Sequence, residues 1–201
     1  MRKVAIVLSG VNLEREIEEE KIICADGGYN LAAGFLERVI RVVGDGDSIK
    51  GYEIENPSPT EKDYTDGETA IRLAKSLGFD EASVYGATGG RSDHVYVNLF
   101  LLRIARDIGL QAKIVTKEGY IIYKDKGEVV LRVKKGDVIS VLPYAGSVVV
   151  DKSDGLFYPY DTLELTKTNT VGISNVAEKS LVKFEIKSSE ALIFVSERAL
   201  K

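Results

Sequence analysis

The first 116 residues alternate short apolar runs with stretches of helical period, and this alternation restricts the fold more than any other feature of the chain. The apolar runs cover residues 3–8, 22–25, 39–43, 82–85 and 112–116, and all suit short buried strands. Between them lie helical stretches. Residues 31–38 form one. A second starts at Thr65, where Thr65 and Glu68 have capping-box spacing, Ala70, Ile71, Ala74 and Leu77 share a face, and Gly78 ends the pattern. A third covers residues 95–108, with apolar positions nearly all round, as expected of a helix buried between layers. Strand–helix alternation predicts an α/β fold: a mostly parallel sheet with helices on both faces. Beyond residue 117 the helical period disappears. Short β-rich runs follow at 120–123, 129–133, 138–142, 148–150, 181–186 and 192–195. Lys126-Gly127 and Lys135-Gly136-Asp137 read as hairpin-type turns between them. The expected organisation is therefore an α/β domain over 1–117 and an all-β antiparallel sandwich over 118–201.

In a parallel sheet of this type, ligands bind beyond the carboxyl ends of the strands. Ser9-Gly10, Asp26-Gly27-Gly28, residues 44–48 and residues 86–90 all follow predicted strands. Within Gly44-Asp45-Gly46-Asp47-Ser48, two carboxylates stand two residues apart, roughly 6–7 Å between Cα atoms in an extended segment. Gly-Asp-Gly-Asp is also ordinary turn composition. The neighbouring loops tip the balance, because Asp26, Asp45, Asp47 and Asp66 are expected to meet there, with Asp63 and Asp93 close by. Carboxylates so gathered need a cation between them, and an oxygen-only set favours Mg²⁺. Arg91, Lys62 and the backbone of residues 86–90 suit phosphate oxygens. Carboxylate-held Mg²⁺ beside such groups points to phosphoryl transfer by positioning and charge neutralisation.

Other chemistries are disfavoured. The chain has no Gly-x-x-x-x-Gly-Lys-Ser/Thr phosphate loop and no Gly-x-Gly-x-x-Gly after its first strand. A net charge of -4 and a pI near 5.3 argue against a nucleic-acid partner. Cys24 is the only cysteine and His94 the only histidine, which removes an intramolecular disulfide, cysteine-rich zinc sites and an obvious Ser-His-Asp triad. Cys24 reads as inert core, and His94 as a capping or core residue. Residues 14–20, an acidic run, read as the solvated face of a short helix or loop. Tyr158-Pro159 reads as strand-end packing. With no signal-peptide pattern and no apolar stretch of about 18 residues, the expectation is a cytoplasmic protein without a membrane span.

Taken together, the set Asp26-Gly27-Gly28, Gly44-Asp45-x-Asp47-Ser48, Lys62-Asp63-x-Thr65-Asp66-x-Glu68, Gly86-x-x-Gly89-Gly90-Arg91-x-Asp93-His94 and Asn98 resembles the thiamine pyrophosphokinase family. Gly155-Leu156-x-Tyr158-Pro159 and Gly172-Ile173-Ser174-Asn175 resemble its second-domain motifs, so the likeness covers nearly the whole chain in family order. It implies transfer of the β,γ-pyrophosphoryl group of ATP to the hydroxyl of thiamine, giving thiamine diphosphate and AMP. It also implies a homodimer with thiamine at the subunit interface. On this likeness Asp45, Asp47 and Asp66 hold Mg²⁺ with Asp26 in support. Lys62, Arg91 and Asp93 surround the phosphates and the reacting hydroxyl. Gly27, Gly28, Gly89 and Gly90 line the nucleotide, and Ser174 and Asn175 bind thiamine or nucleotide. Two departures concern the substrate: Val176 follows Ser-Asn where the family often has Glu, and the chain has no Trp. They leave room for another small alcohol, such as a pterin, as acceptor. A non-catalytic nucleotide or thiamine diphosphate sensor is the remaining alternative.

Overall fold

The computed structural model describes residues 1–54 and 63–197. The chain divides into two compact units, Met1–Lys117 and Glu118–Lys201. In the first, strands β1 (Lys3–Val7), β2 (Ile22–Ala25), β3 (Val39–Val43), β4 (Glu81–Tyr85) and β5 (Gln111–Val115) run parallel in the order β5-β4-β1-β2-β3. β1 lies in the middle, and Val4 to Val7 are wholly buried. Side chains alternate between faces along a strand. Ala5 and Val7 accordingly join Ile22, Cys24 and Tyr85 in one core, against which Tyr29, Leu31 and Phe35 pack. Burial pushes the Cys24 thiol up to about 12, consistent with inert core.

Helix α1 (Gly28–Leu31) is a single turn, followed by a 3-10 turn over Ala33–Arg38. The continuous helix expected over residues 31–38 does not form. Phe35 leaves helical geometry (φ -137°), and its ring packs on the core. Helix α2 (Asp66–Ser76) starts as expected: the Thr65 hydroxyl accepts the Glu68 N–H at 3.2 Å. The Glu68 side chain pairs with Arg72, one turn on, at 2.6 Å. α2 packs on β1, β2 and a later helix, α4.

The long helix expected over residues 95–108 is two, α3 (Ser92–Asn98) and α4 (Phe100–Asp107). At the junction the Leu99 N–H reaches only three residues back, to Tyr96, and such tightened turns interrupt helical register. α4 buries one face, Leu101, Leu102 and Ala105. α3 buries nothing, and Tyr96 is 61% exposed, so the expectation of a helix covered all round is wrong. β3 also differs from the interior strand its apolar residues suggest. It is the edge of its sheet, and none of its residues is fully buried.

In the second unit, two antiparallel sets of strands share one core. One set is β11 (Asn175–Val176), β8 (Val138–Ala145), β13 (Glu190–Ser196) and β6 (Gly119–Lys124), in that order. The other is β10 (Leu163–Leu165), β9 (Val148–Asp154), β12 (Leu181–Ile186) and β7 (Gly127–Arg132). Lys126-Gly127 and Lys135-Gly136-Asp137 are turns, but not hairpins. β6 pairs with β13 and β7 with β12, so each turn carries the chain from one set to the other. Turn composition fixes the backbone reversal. Which strands then pair is set by the faces that must be buried, here Val129 and Leu131 against Ile139 and Val141 among others.

Candidate active site

The site is assembled where β1 to β4 end. After β2 the chain turns at Asp26, whose positive φ of 46° is unusual for a residue with a side chain. Two backbone bonds hold it there: its N–H donates to Val43 O at 2.7 Å, and its carbonyl accepts from Tyr29 N at 3.0 Å. Gly44, at φ +136°, follows β3 and passes so close that a Cβ there would lie 3.0 Å from the Asp26 Cβ. The next loop is folded on its own polar groups. The Asp47 N–H donates to Asp45 Oδ1 at 3.2 Å, and the Ser48 hydroxyl to Asp47 Oδ1 at 2.7 Å. Asn30 in α1 grips the loop from outside, donating to Ser48 O at 2.8 Å and accepting from Lys50 N at 3.0 Å.

As a result, Asp26, Asp45 and Asp47 each place a carboxylate oxygen within 4.8 Å of the other two. Asp26 is 8% exposed, and its buried Oδ1 has no hydrogen-bond partner among the described residues. A buried anionic oxygen without a partner is costly, and two more carboxylates facing it add repulsion. An oxygen-seeking divalent cation would satisfy all three, so these residues fit Mg²⁺ by their donor chemistry. A tight turn alone explains the Asp45–Asp47–Ser48 bonds. It does not explain why a buried Asp26 carboxylate with a partnerless oxygen stands within 4.8 Å of theirs.

Asp66 does not belong to this three-carboxylate group. It opens α2, where Gly67 packs against Leu8 just after β1. Asp63 is exposed, and Lys62 lies outside the described residues. Gly27 is wedged between loops, since a Cβ there would stand 3.2 Å from both Ser9 Oγ and Ser48 Cβ. Gly28 starts α1.

The loop after β4 behaves differently from the expectation of free backbone groups. Glu14 accepts hydrogen bonds from Gly86 N at 2.7 Å, Thr88 N at 3.1 Å and the Thr88 hydroxyl at 2.7 Å. Asn98 donates to Ala87 O at 3.0 Å. The N–H groups of Gly86 and Thr88 are thereby already occupied. Arg91 and Asp93 pair with each other at 2.7 Å, both well exposed. Hydrogen bonding to Arg91 holds the Asp93 carboxyl below the usual carboxylate range, and the same contact raises Arg91. His94 is exposed at the start of α3 and neither caps a helix nor enters the core.

In the second unit, Ser174 is exposed in a left-handed conformation (φ 58°). Asn175 is 3% exposed. Its side-chain oxygen accepts from Tyr158 N at 3.0 Å and Val176 N at 2.9 Å, and its amide donates to Tyr158 O at 2.7 Å. Tyr158, read from the sequence as packing, is 62% exposed and stacks edge-on with the exposed Phe157.

Residues 14–116 match the family model for the thiamin pyrophosphokinase catalytic domain. The chain belongs to the thiamin pyrophosphokinase family. Among curated proteins it is 29% identical to a thiamine pyrophosphokinase of Bacillus subtilis over 155 residues, covering 72% of each chain. Among solved structures it resembles a Bacillus subtilis thiamine pyrophosphokinase (TM-score 0.84, 22% identity, 98% of this chain and 100% of that one). A Geobacillus thermodenitrificans thiamin pyrophosphokinase gives a TM-score of 0.83 at 23% identity, over 98% of this chain and 99% of the other. A Candida albicans thiamin pyrophosphokinase gives 0.78 at 18%, over 98% and 89%.

The family resemblance read from the ordered motifs is thus borne out. Within those motifs, the Asn175 side chain is bonded to the backbone of Tyr158 and Val176. Glu14 and Asn30 were not singled out by sequence reasoning. Asn30 follows Asp26-Gly27-Gly28 and suits a loop clamp, whereas Glu14 carries no local signal inside its acidic run.

Proposed function

We propose that this chain transfers the β,γ-pyrophosphoryl group of ATP to the hydroxyl of thiamine, yielding thiamine diphosphate and AMP. Two observations carry the reading: Asp26, Asp45 and Asp47 bring carboxylate oxygens within 4.8 Å of one another, and the buried Oδ1 of Asp26 finds no hydrogen-bond partner among the described residues. Asp26, Asp45 and Asp47 would hold Mg²⁺, with Asp66 contributing from the start of α2. When bound, the ion neutralises charge on the triphosphate oxygens. The residues of the chain then have separate tasks. Gly27, Gly28, Gly89 and Gly90 present backbone to the nucleotide, and Arg91 and Lys62 meet phosphate oxygens. Asp93, kept ionised by Arg91, orients the thiamine hydroxyl. That oxygen forms a bond to the β-phosphorus and loses its proton to solvent as the bond from this phosphorus to the α,β-bridging oxygen breaks, and AMP leaves. A loose phosphoryl transition state asks little of a base.

We read the architecture as a parallel sheet covered by helices on both faces, carrying the ATP and Mg²⁺ site, followed by a sandwich that binds thiamine and dimerises. The exposed apolar side chains Phe157, Tyr158, Val171 and Ile173 support a homodimer through that second unit. Ser174 lies beside them and suits a thiamine contact. The reading also places the protein in the cytoplasm. Among the described residues no helix is long and apolar enough to cross a membrane.

Incubation with ATP, Mg²⁺ and thiamine, followed by mass spectrometry, tests the reaction. Thiamine diphosphate and AMP in equal amounts are expected. ADP with thiamine monophosphate, or consumption of a pterin in place of thiamine, would overturn it.

A further inference from the structure

We infer that Glu14 is a positioning residue for the phosphate-handling loop, resting on the reaction proposed above. The N–H groups of Gly86 and Thr88, two residues apart at the end of β4, converge on one carboxylate. Successive loop N–H groups of this kind make a concavity that suits an anion. Here the anion belongs to the protein itself. The Thr88 hydroxyl adds a third bond to the same group.

The carboxylate is held firmly from behind. On one side, a Cβ on Gly10 would overlap the Gly86 carbonyl, so the chain entering this segment is pressed against the same loop. On the other, Arg15 donates to Thr116 O at 3.1 Å, and Ile17 is 1% exposed in the core. Further along, Glu19 accepts from the Tyr85 hydroxyl at 2.9 Å. Asn98 fixes Ala87 from the opposite direction. Residues 86–88 therefore each carry a hydrogen bond, while the Gly89 and Gly90 backbone, which passes beside Val11 on its way to Arg91, has none among the described residues. Filling the concavity with Glu14 excludes phosphate from Gly86 and Thr88 and sets where Gly89-Gly90-Arg91 begins.

Charge and positioning make opposite predictions, which allows a clean test. Glu14 adds a negative charge beside a triphosphate site, so electrostatics alone would have Glu14→Gln bind Mg²⁺·ATP more tightly. Positioning requires the reverse. Glutamine replaces one acceptor oxygen with a donor that faces the loop N–H groups, and the loop loses its anchor. The expected result is at least a tenfold fall in kcat/KM for ATP and a matching rise in the Kd for Mg²⁺·ATP by calorimetry. The KM for thiamine should stay within twofold. Amide hydrogen exchange should speed up at residues 86–90 but not along β1. Thr88→Val should weaken ATP binding in the same direction, Thr88→Ser should restore it, and Thr88→Val should add little once Glu14 is changed. Glu16→Gln, an exposed member of the same run, controls for net charge and should be silent. Tighter ATP binding by Glu14→Gln, or an unchanged Kd and exchange pattern, would overturn the inference. Should the wild type make no thiamine diphosphate, the proposed reaction fails, while the Kd and exchange measurements still decide the role of Glu14.

Discussion

Replacing Asp26 with Asn separates a metal site from an ordinary turn by the sign of its effect on stability. In the metal-free protein, Asp26 faces the oxygens of Asp45 and Asp47 at no more than 4.8 Å. Two unit charges at that distance repel by about 3.5 kcal/mol at an effective dielectric of about 20, and by about 0.9 kcal/mol at about 80. Asp26 is buried, Asp45 half-buried and Asp47 exposed, so the two repulsions fall between those limits and sum to about 2–4 kcal/mol. Asn keeps the shape, removes the charge and brings an N–H₂ that the neighbouring carboxylates accept. For a chain of this length, 1 kcal/mol corresponds to about 2–4 °C in Tm. Asp26→Asn is therefore expected to melt about 5–10 °C above wild type in EDTA. The difference should shrink as salt screens the exposed partner. Added Mg²⁺ should raise the Tm of wild type and leave the variant nearly unmoved, because ligand stabilisation follows occupancy. Scanning calorimetry at low ionic strength, with and without Mg²⁺, reads both effects. A variant less stable than wild type in EDTA, or one that gains as much from Mg²⁺, would refute the reasoning.

Three further outcomes follow from the same geometry. Asn175→Ala leaves the Tyr158 and Val176 backbone groups short of partners, so denaturant unfolding should show a loss of about 1–3 kcal/mol, together with a rise in the KM for thiamine. Asp93, with its folded pKa held down by Arg91, contributes stability that is present above the ordinary carboxylate pKa and lost as pH falls through the depressed one. Carboxyl NMR titration should place its midpoint below that of a free aspartate and return it to normal in Arg91→Met. Cys24, with its thiol raised to about 12, should resist alkylation at pH 8 in the native state and react once denatured; rapid native labelling would contradict its burial.

The sequence read well wherever the signal was local. β2 and β3 span the expected residues, the Thr65 cap forms, and the loops after β1 to β4 meet at one end of the sheet as their shared position after strands implies. It read poorly wherever the outcome depended on a distant partner. β3 has the composition of an interior strand, yet nothing in its four apolar residues tells whether a sixth strand lies beyond it. Gly127 and Gly136 marked turns correctly, but their joining of different strand sets depends on faces buried more than forty residues away. Glu14 sat in a run of like charges that resembles a solvated surface. Its three hydrogen bonds go to residues more than seventy positions on.

The central claim is that Asp26, Asp45 and Asp47 together grip one hard divalent ion. Crystals grown with Mn²⁺ and a non-hydrolysable ATP analogue, measured at the manganese edge, test it directly. The account predicts an anomalous peak about 2.0–2.3 Å from an oxygen of each of the three carboxylates and also bonded to the triphosphate. A peak held by phosphate oxygens alone, with the Asp26 carboxylate turned away from it, would contradict the account.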